Sequence, residues 1–199
     1  GNYEEAYNFI LNKKENYTNE NSLLRYYQAV GLSLLYLKRF SDLEKIIDEI
    51  STTPNSNRTH HKEYLTLLKH YEKADYQKVI DGFEDLDSAN LFSSTVGQRR
   101  TLSDVFYYWR SKSYLQIGDY QNALKETFKF RAASNQITGQ TVFDQFWPKK
   151  NYLKGIAYEG LGDIVNAIES YEDFLRLWNN ADSYLPEIID AKKRLDNLK

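Results

Sequence analysis

Apolar residues recur along this chain three and four positions apart, the spacing that gathers them on one face of an α-helix; the alternation a half-buried strand needs is missing. The stretch 151–178, NYLKGIAYEGLGDIVNAIESYEDFLRLW, shows the pattern most plainly. Two amphipathic segments flank the break Leu161-Gly162-Asp163. Small residues (Gly155, Ala157, Ala167) fall among large ones (Tyr158, Ile168, Tyr171, Phe174), as if the two segments interlock. Looser copies precede it. The spacing predicts helices over 2–14, 22–37, 40–51, 60–73, 76–87, 104–117 and 120–134, a helix pair within 148–178, and a last helix over 185–198. Longer connections are expected at 88–101 and 135–145. The chain is therefore all-α.

The helices repeat in register. Aligning the breaks at Lys38-Arg39, Ala74-Asp75, Gly118-Asp119 and Gly162-Asp163 brings Phe40, Tyr76, Tyr120 and Ile164 into one column. Three residues on stand Leu43, Val79, Ala123 and Ala167. Four further come Ile47, Phe83, Thr127 and Tyr171, and three beyond those Ile50, Leu86, Phe130 and Phe174. Gly118 and Gly162 suit the left-handed residue that ends a helix, and the Asp after each suits the cap of the next. The start of the chain, Asn2-Tyr3-Glu4-Glu5-Ala6, looks like the second helix of a unit whose first is missing, so a piece of a longer protein is expected.

These segments resemble tetratricopeptide repeats, units of two antiparallel helices with small residues at their crossing. Tyr114 to Phe130 and Gly155 to Phe174 match best. Tyr114 and Tyr158 fill the late aromatic position of the first helix, Ser111 and Gly155 its small position, and Ala123 and Ala167 the alanine of the second. Gly31 holds the small position in an earlier unit, whereas Leu67 departs from it. Arg110 and Lys154 replace the leucine that usually precedes the small residue, and the closing proline is mostly missing. The columns are spaced by 36, 44 and 44 residues, against about 34 for the family, so longer helices or inserted loops are expected. The resemblance implies a right-handed superhelical solenoid of antiparallel helix pairs. It would comprise a partial unit at 2–14, units at about 22–51, 60–87, 104–134 and 148–178, and a capping helix at 185–198 that covers the last apolar face.

Composition narrows the function. A formal charge of −2 with both signs interspersed offers no clustered Lys and Arg for phosphates, which argues against a nucleic-acid surface. No apolar run approaches the roughly 18 to 20 residues that cross a bilayer, so no membrane contact is expected from this segment. Mean hydropathy is −0.68, which suits a water-soluble chain. Cysteine is absent, which excludes disulfides and thiolate metal sites and leaves the compartment open. His60 and His61 are adjacent, about 100° apart on a helix, and cannot act together as i,i+4 ligands; His70 falls in a packing column. With no phosphate loop, nucleophile elbow or HExxH either, neither catalysis nor a metal or cofactor is expected.

In the resembled fold the first helices line a concave groove. Transferred by alignment, that places Tyr64, Leu68 and Tyr71, then Tyr108, Trp109 and Lys112, then Lys149, Tyr152 and Ile156 toward a protein or peptide partner. Aromatics with occasional Lys suit an extended peptide or an inserted helix. With 17 Tyr, 10 Phe and 3 Trp, some of these nine belong to the core instead. The expected function is a protein–protein interaction scaffold. The alternative is a regulatory or sensor segment of a larger signalling or transcription-regulating protein, since the last helix pair and cap resemble repeats attached to bacterial signalling proteins. In that case fused domains would carry the chemistry.

Overall fold

A computed structural model of the chain describes residues 2–54, 58–88, 96–130, 146–178 and 185–199. The described residues form α-helices and one short 3-10 turn at Lys14–Asn16, with no strand among them. The helices are α1 (Tyr3–Leu11), α2 (Glu20–Tyr36), α3 (Phe40–Thr52), α4 (Arg58–Glu72), α5 (Tyr76–Ser88), α6 (Val96–Gln116), α7 (Tyr120–Lys129), α8 (Phe146–Gly160), α9 (Ile164–Leu177) and α10 (Pro186–Leu198). The chain divides into two compact units, 1–82 and 83–199, the division falling within α5.

In the first unit α1 packs on α2, α2 on α3 and α3 on α4, and α2 also touches α4. In the second, α6 packs on α7, α7 on α8, α8 on α9 and α9 on α10, with α6 touching α8. Sequence-adjacent helices thus pair, and within each unit the first helices of successive pairs meet.

All twelve aligned residues of the three inner columns, from Leu43, Ile47 and Ile50 through Ala167, Tyr171 and Phe174, are 5 % exposed or less. Helical spacing of 3, 4 and 3 gathers the members of each set on one buried stripe. At the small positions of the first helices a side chain has no room. A Cβ on Gly155 would lie 2.4 Å from the Tyr171 ring, and one on Gly31 2.6 Å from Leu65. Ser111 is small enough to fit, and its hydroxyl donates across the pair to the Ala123 carbonyl at 3.0 Å. The departure at Leu67 has a counterpart on the opposite helix. Its side chain fills the space over Gly82, where a Cβ would meet Leu67 Cδ2 at 2.3 Å. Large and small have exchanged helices there.

The four breaks share one backbone turn. Lys38, Ala74, Gly118 and Gly162 take φ of 56°, 61°, 76° and 77°. The following N–H groups, of Arg39, Asp75, Asp119 and Asp163, each donate at 2.9 Å to the carbonyl five residues back. This closes helix ends whose carbonyls would otherwise lack partners. Asp119 and Asp163 then accept from the N–H groups of Asn122 and Asn166, capping α7 and α9. Left-handed backbone costs an L-residue about 1–2 kcal/mol, and both Lys38 and Ala74 are exposed side chains with little packing to lose. Lys38→Gly and Ala74→Gly are each expected to stabilise the chain by about 0.5–1 kcal/mol. Thermal melts check this: a gain of roughly 1–4 °C per substitution, with Gly118→Ala moving the other way.

Other expectations need adjusting. α6 begins at Val96, well before 104, so part of the segment expected as a connection at 88–101 is helix; Gln98, Arg99 and Arg100 are good helix formers. α7 ends at Lys129. Residues 131–134 and the expected connection at 135–145 lie outside the described residues. α1 is shorter than 2–14 and lies on α2 through Tyr3, whose ring stacks on Tyr36 with centroids 4.4 Å apart. Among the described residues no helix is long and apolar enough to cross a membrane.

Candidate partner-binding surface

The nine residues expected to face a partner divide between the two units. Tyr64, Leu68 and Tyr71 stand on α4 in the first. Leu68 is 4 % exposed and belongs to the core, so it presents nothing to a partner. Tyr64 and Tyr71 are half-buried; the Tyr71 ring meets Tyr76 edge-on at 5.3 Å, and burial pushes its hydroxyl well above the ordinary tyrosine range.

The other six stand on α6 and α8 in the second unit, where α6 touches α8 and brings several of them together. Tyr108 is 5 % exposed, packed with Phe130 and Leu153, so it serves as a floor rather than a face. Trp109 crosses its edge at 5.3 Å. The ammonium of Lys112 lies 5.4 Å from the Tyr108 ring centre and 4.9 Å from that of Trp109. From α8, Lys149 Nζ reaches within 6.0 Å of the same Tyr108 ring. Two cations from two helices thus share one aromatic floor, a favourable contact of about 0.5–1 kcal/mol each at a partly exposed site. Tyr152 and Ile156, further along α8, are half-buried against Tyr171, Phe174 and α10.

Sequence reasoning missed the acidic side of α10. Lys149 Nζ donates to Glu187 Oε1 at 2.6 Å, and the Tyr152 hydroxyl to Asp190 Oδ2 at 2.8 Å. Arg194 bonds Asp190 and also Glu159, which accepts from the Tyr171 hydroxyl at 2.7 Å. Burial pushes the Glu187 carboxyl up, yet the Lys149 hydrogen bond and the charges of Lys149 and Lys112 hold it below the usual carboxylate range. Burial, then the bond to Asp190, raises the Tyr152 hydroxyl. The available signal was the i,i+3 spacing of Glu187 and Asp190 beside the apolar stripe of α10, with Arg194 four residues on.

No protein-family model, curated protein or solved structure matches this chain. The surface therefore has to be understood from its own chemistry.

Among the described residues no group of three or more His, Asp or Glu side chains is placed to hold a metal ion. His60 is buried, and His70 Nδ1 lies 3.0 Å from Asp75 Oδ2, a bond that lowers the Asp75 carboxyl. Burial, with His60 and Arg25 adding to it, pulls His61 down to about 4 from 6.5. The folded chain keeps this ring neutral where the unfolded chain binds a proton. The stability it allows is therefore present above about pH 6.5 and lost as pH falls toward 4, by roughly 3 kcal/mol in all. Urea unfolding at pH 7 and pH 4.5 is expected to show that loss, and His61→Gln to flatten it.

Proposed function

We propose that the chain is a protein–protein interaction module. In this reading its helix pairs stack serially, in the manner of tetratricopeptide repeats, and hold a peptide or helical partner against the first helices of the pairs. What supports the serial arrangement is the recurrence of one turn and one set of buried columns at four places, with α2 meeting α4 in one unit and α6 meeting α8 in the other.

The observation that carries the binding reading is the shared aromatic floor in the second unit. Trp109 and Lys112 of α6 and Lys149 of α8 converge on Tyr108, joining two first helices into one cationic and aromatic patch. The partly buried Trp109 at such a junction offers large contact area with few rotors to freeze, as interface anchors do, and the lysines add charge that favours an acidic partner.

Affinity capture with immobilised chain tests this. Proteins retained by the wild type are expected to be lost by Lys112→Glu and kept by Lys192→Glu, which reverses a charge on the exposed side of α10. Equal retention by all three chains would contradict the reading.

A further inference from the structure

Within the second unit, α10 makes the contacts that a bound helix would make. Glu187, in its first turn, takes the Lys149 hydrogen bond with both side chains about one-quarter exposed, and Lys112 adds its charge from α6. One turn on, Asp190 accepts from Tyr152. Arg194 ties Asp190 to Glu159 of α8. Between these polar groups Ile188 and Ala191 enter the cluster of Ala167, Tyr171 and Phe174. Lys149 and Tyr152, both marked by the sequence as partner-facing, are thus engaged from within the chain.

We propose that α10 is an exchangeable internal ligand, and that the surface of α8 and α9 beneath it is a helix-binding site. The partner it fits is an amphipathic helix with carboxylates at i and i+3, apolar residues at i+1, i+4 and i+8, and a basic residue at i+7, as in Glu187, Ile188, Asp190, Ala191, Arg194 and Leu195. This is recognition of a helix by a groove, with anchors one turn apart. The carboxylate at i stands at the helix N-terminus, where the backbone dipole favours it. This inference rests on the reading of the second unit as partner-binding.

Charge and shape both argue for exchange. Only Ile188 and Ala191 of α10 are fully buried, while Ile189 is 54 % exposed. The ion pairs that fasten α10 keep one-quarter to one-third of their side-chain surface in water, so an incoming helix with the same pattern replaces each bond and strands no fully buried charge. The helix beneath is different: α9 buries Ala167, Ser170, Tyr171 and Phe174 and belongs to the fold itself.

The test uses the full chain and, as probe, a fluorescein-labelled synthetic peptide of residues 185–199, followed by fluorescence anisotropy. Glu187→Gln/Asp190→Asn in the chain weakens the internal helix without touching the site. The probe is expected to bind this variant at least tenfold more tightly than it binds the wild-type chain. A probe carrying the same two substitutions should lose that affinity, and adding Lys149→Gln to the chain should abolish the gain. Hydrogen exchange confirms that α8 and α9 stay protected; if the double variant loosens them, Asp190→Asn alone is used, with a gain of at least threefold expected. A probe that binds neither chain, or both equally, overturns the inference. If that happens while capture still depends on Lys112, α10 is a fixed cap and the binding reading stands. Loss of both removes the reading as well.

Discussion

A chain ending before residue 185, and so lacking α10, is expected to melt roughly 10–20 °C below the intact protein. α10 covers Tyr171 and Phe174, which are 0 % and 1 % exposed, and contributes Ile188 and Ala191 to the same cluster. Uncovering a large apolar side chain costs about 1.5–3 kcal/mol, and Tyr171 and Phe174 both lose cover when Ile188 and Ala191 go. The bonds from Lys149, Tyr152 and Arg194 go as well, leaving Glu159 with only Tyr171 of the partners it had in that network. A total near 5 kcal/mol follows, and each kcal/mol moves the midpoint of a chain this size by about 2–4 °C. Calorimetry on the two chains reads it directly. A midpoint unchanged within about 2 °C would mean that α10 does not close the core of the second unit.

Arg110→Met is expected to cost about 3–5 kcal/mol, whereas Arg110→Met with Glu126→Leu recovers most of the loss. Both ions are 4 % exposed, and Arg110 Nη2 donates to Glu126 Oε1 at 2.9 Å between α6 and α7. Without the guanidinium, the Glu126 carboxylate stays buried with only the half-exposed Lys129 to balance it. An isolated buried charge is far more costly than a missing pair, because the pair's own attraction largely offsets the desolvation of both ions. One helix pair further on, the aligned positions hold Lys154 and Ser170. There the Lys154 ammonium lies over the Phe128 and Tyr158 rings. The buried ion pair is thus local to the α6–α7 pair, and the α8–α9 pair packs without it. Urea titrations of the single and double variants decide the matter. A double variant as unstable as the single one would show that the pair holds α6 to α7 by more than mutual neutralisation.

The helix pairs were legible because burial and capping both leave marks in sequence. Spacing of 3, 4 and 3 marked the columns from Leu43 to Phe174, and Gly-Asp marked the turns at 118 and 162. The turns at Lys38 and Ala74 carry no glycine, and only alignment with the other two exposed them. The start of α6 was hidden because Gly97 and the Ser-Ser-Thr before Val96 resemble a loop, while Gln98, Arg99 and Arg100 favour helix without an apolar stripe to announce it. Leu67 looked like an exception until Gly82 was found facing it, a pairing between helices that no single-helix pattern reveals. The candidate surface was less legible for a related reason. Leu68 and Lys112 stand at equivalent positions, yet Leu68 is buried and Lys112 is not; periodicity fixes the face of a helix without saying whether another helix covers it. For Glu187 and Asp190, only the distances to Lys149 and Tyr152 show what they engage.

The account depends on helices that close together because a missing side chain on one admits a large side chain from the other. The most direct test is a double-mutant cycle between Gly155→Ala and Tyr171→Leu, measured by urea unfolding. The Tyr171 ring, 2.4 Å from where the new Cβ would stand, is fully buried and tied through its hydroxyl to Glu159, so it has little freedom to move aside. Gly155→Ala is expected to cost about 1–3 kcal/mol in the wild-type chain through overpacking. In the Tyr171→Leu chain the same substitution is expected to be neutral or to gain up to about 1 kcal/mol from the better helix propensity of alanine, giving a coupling near 2 kcal/mol. Effects that add within about 0.5 kcal/mol, as they do for residues out of contact, would contradict the account.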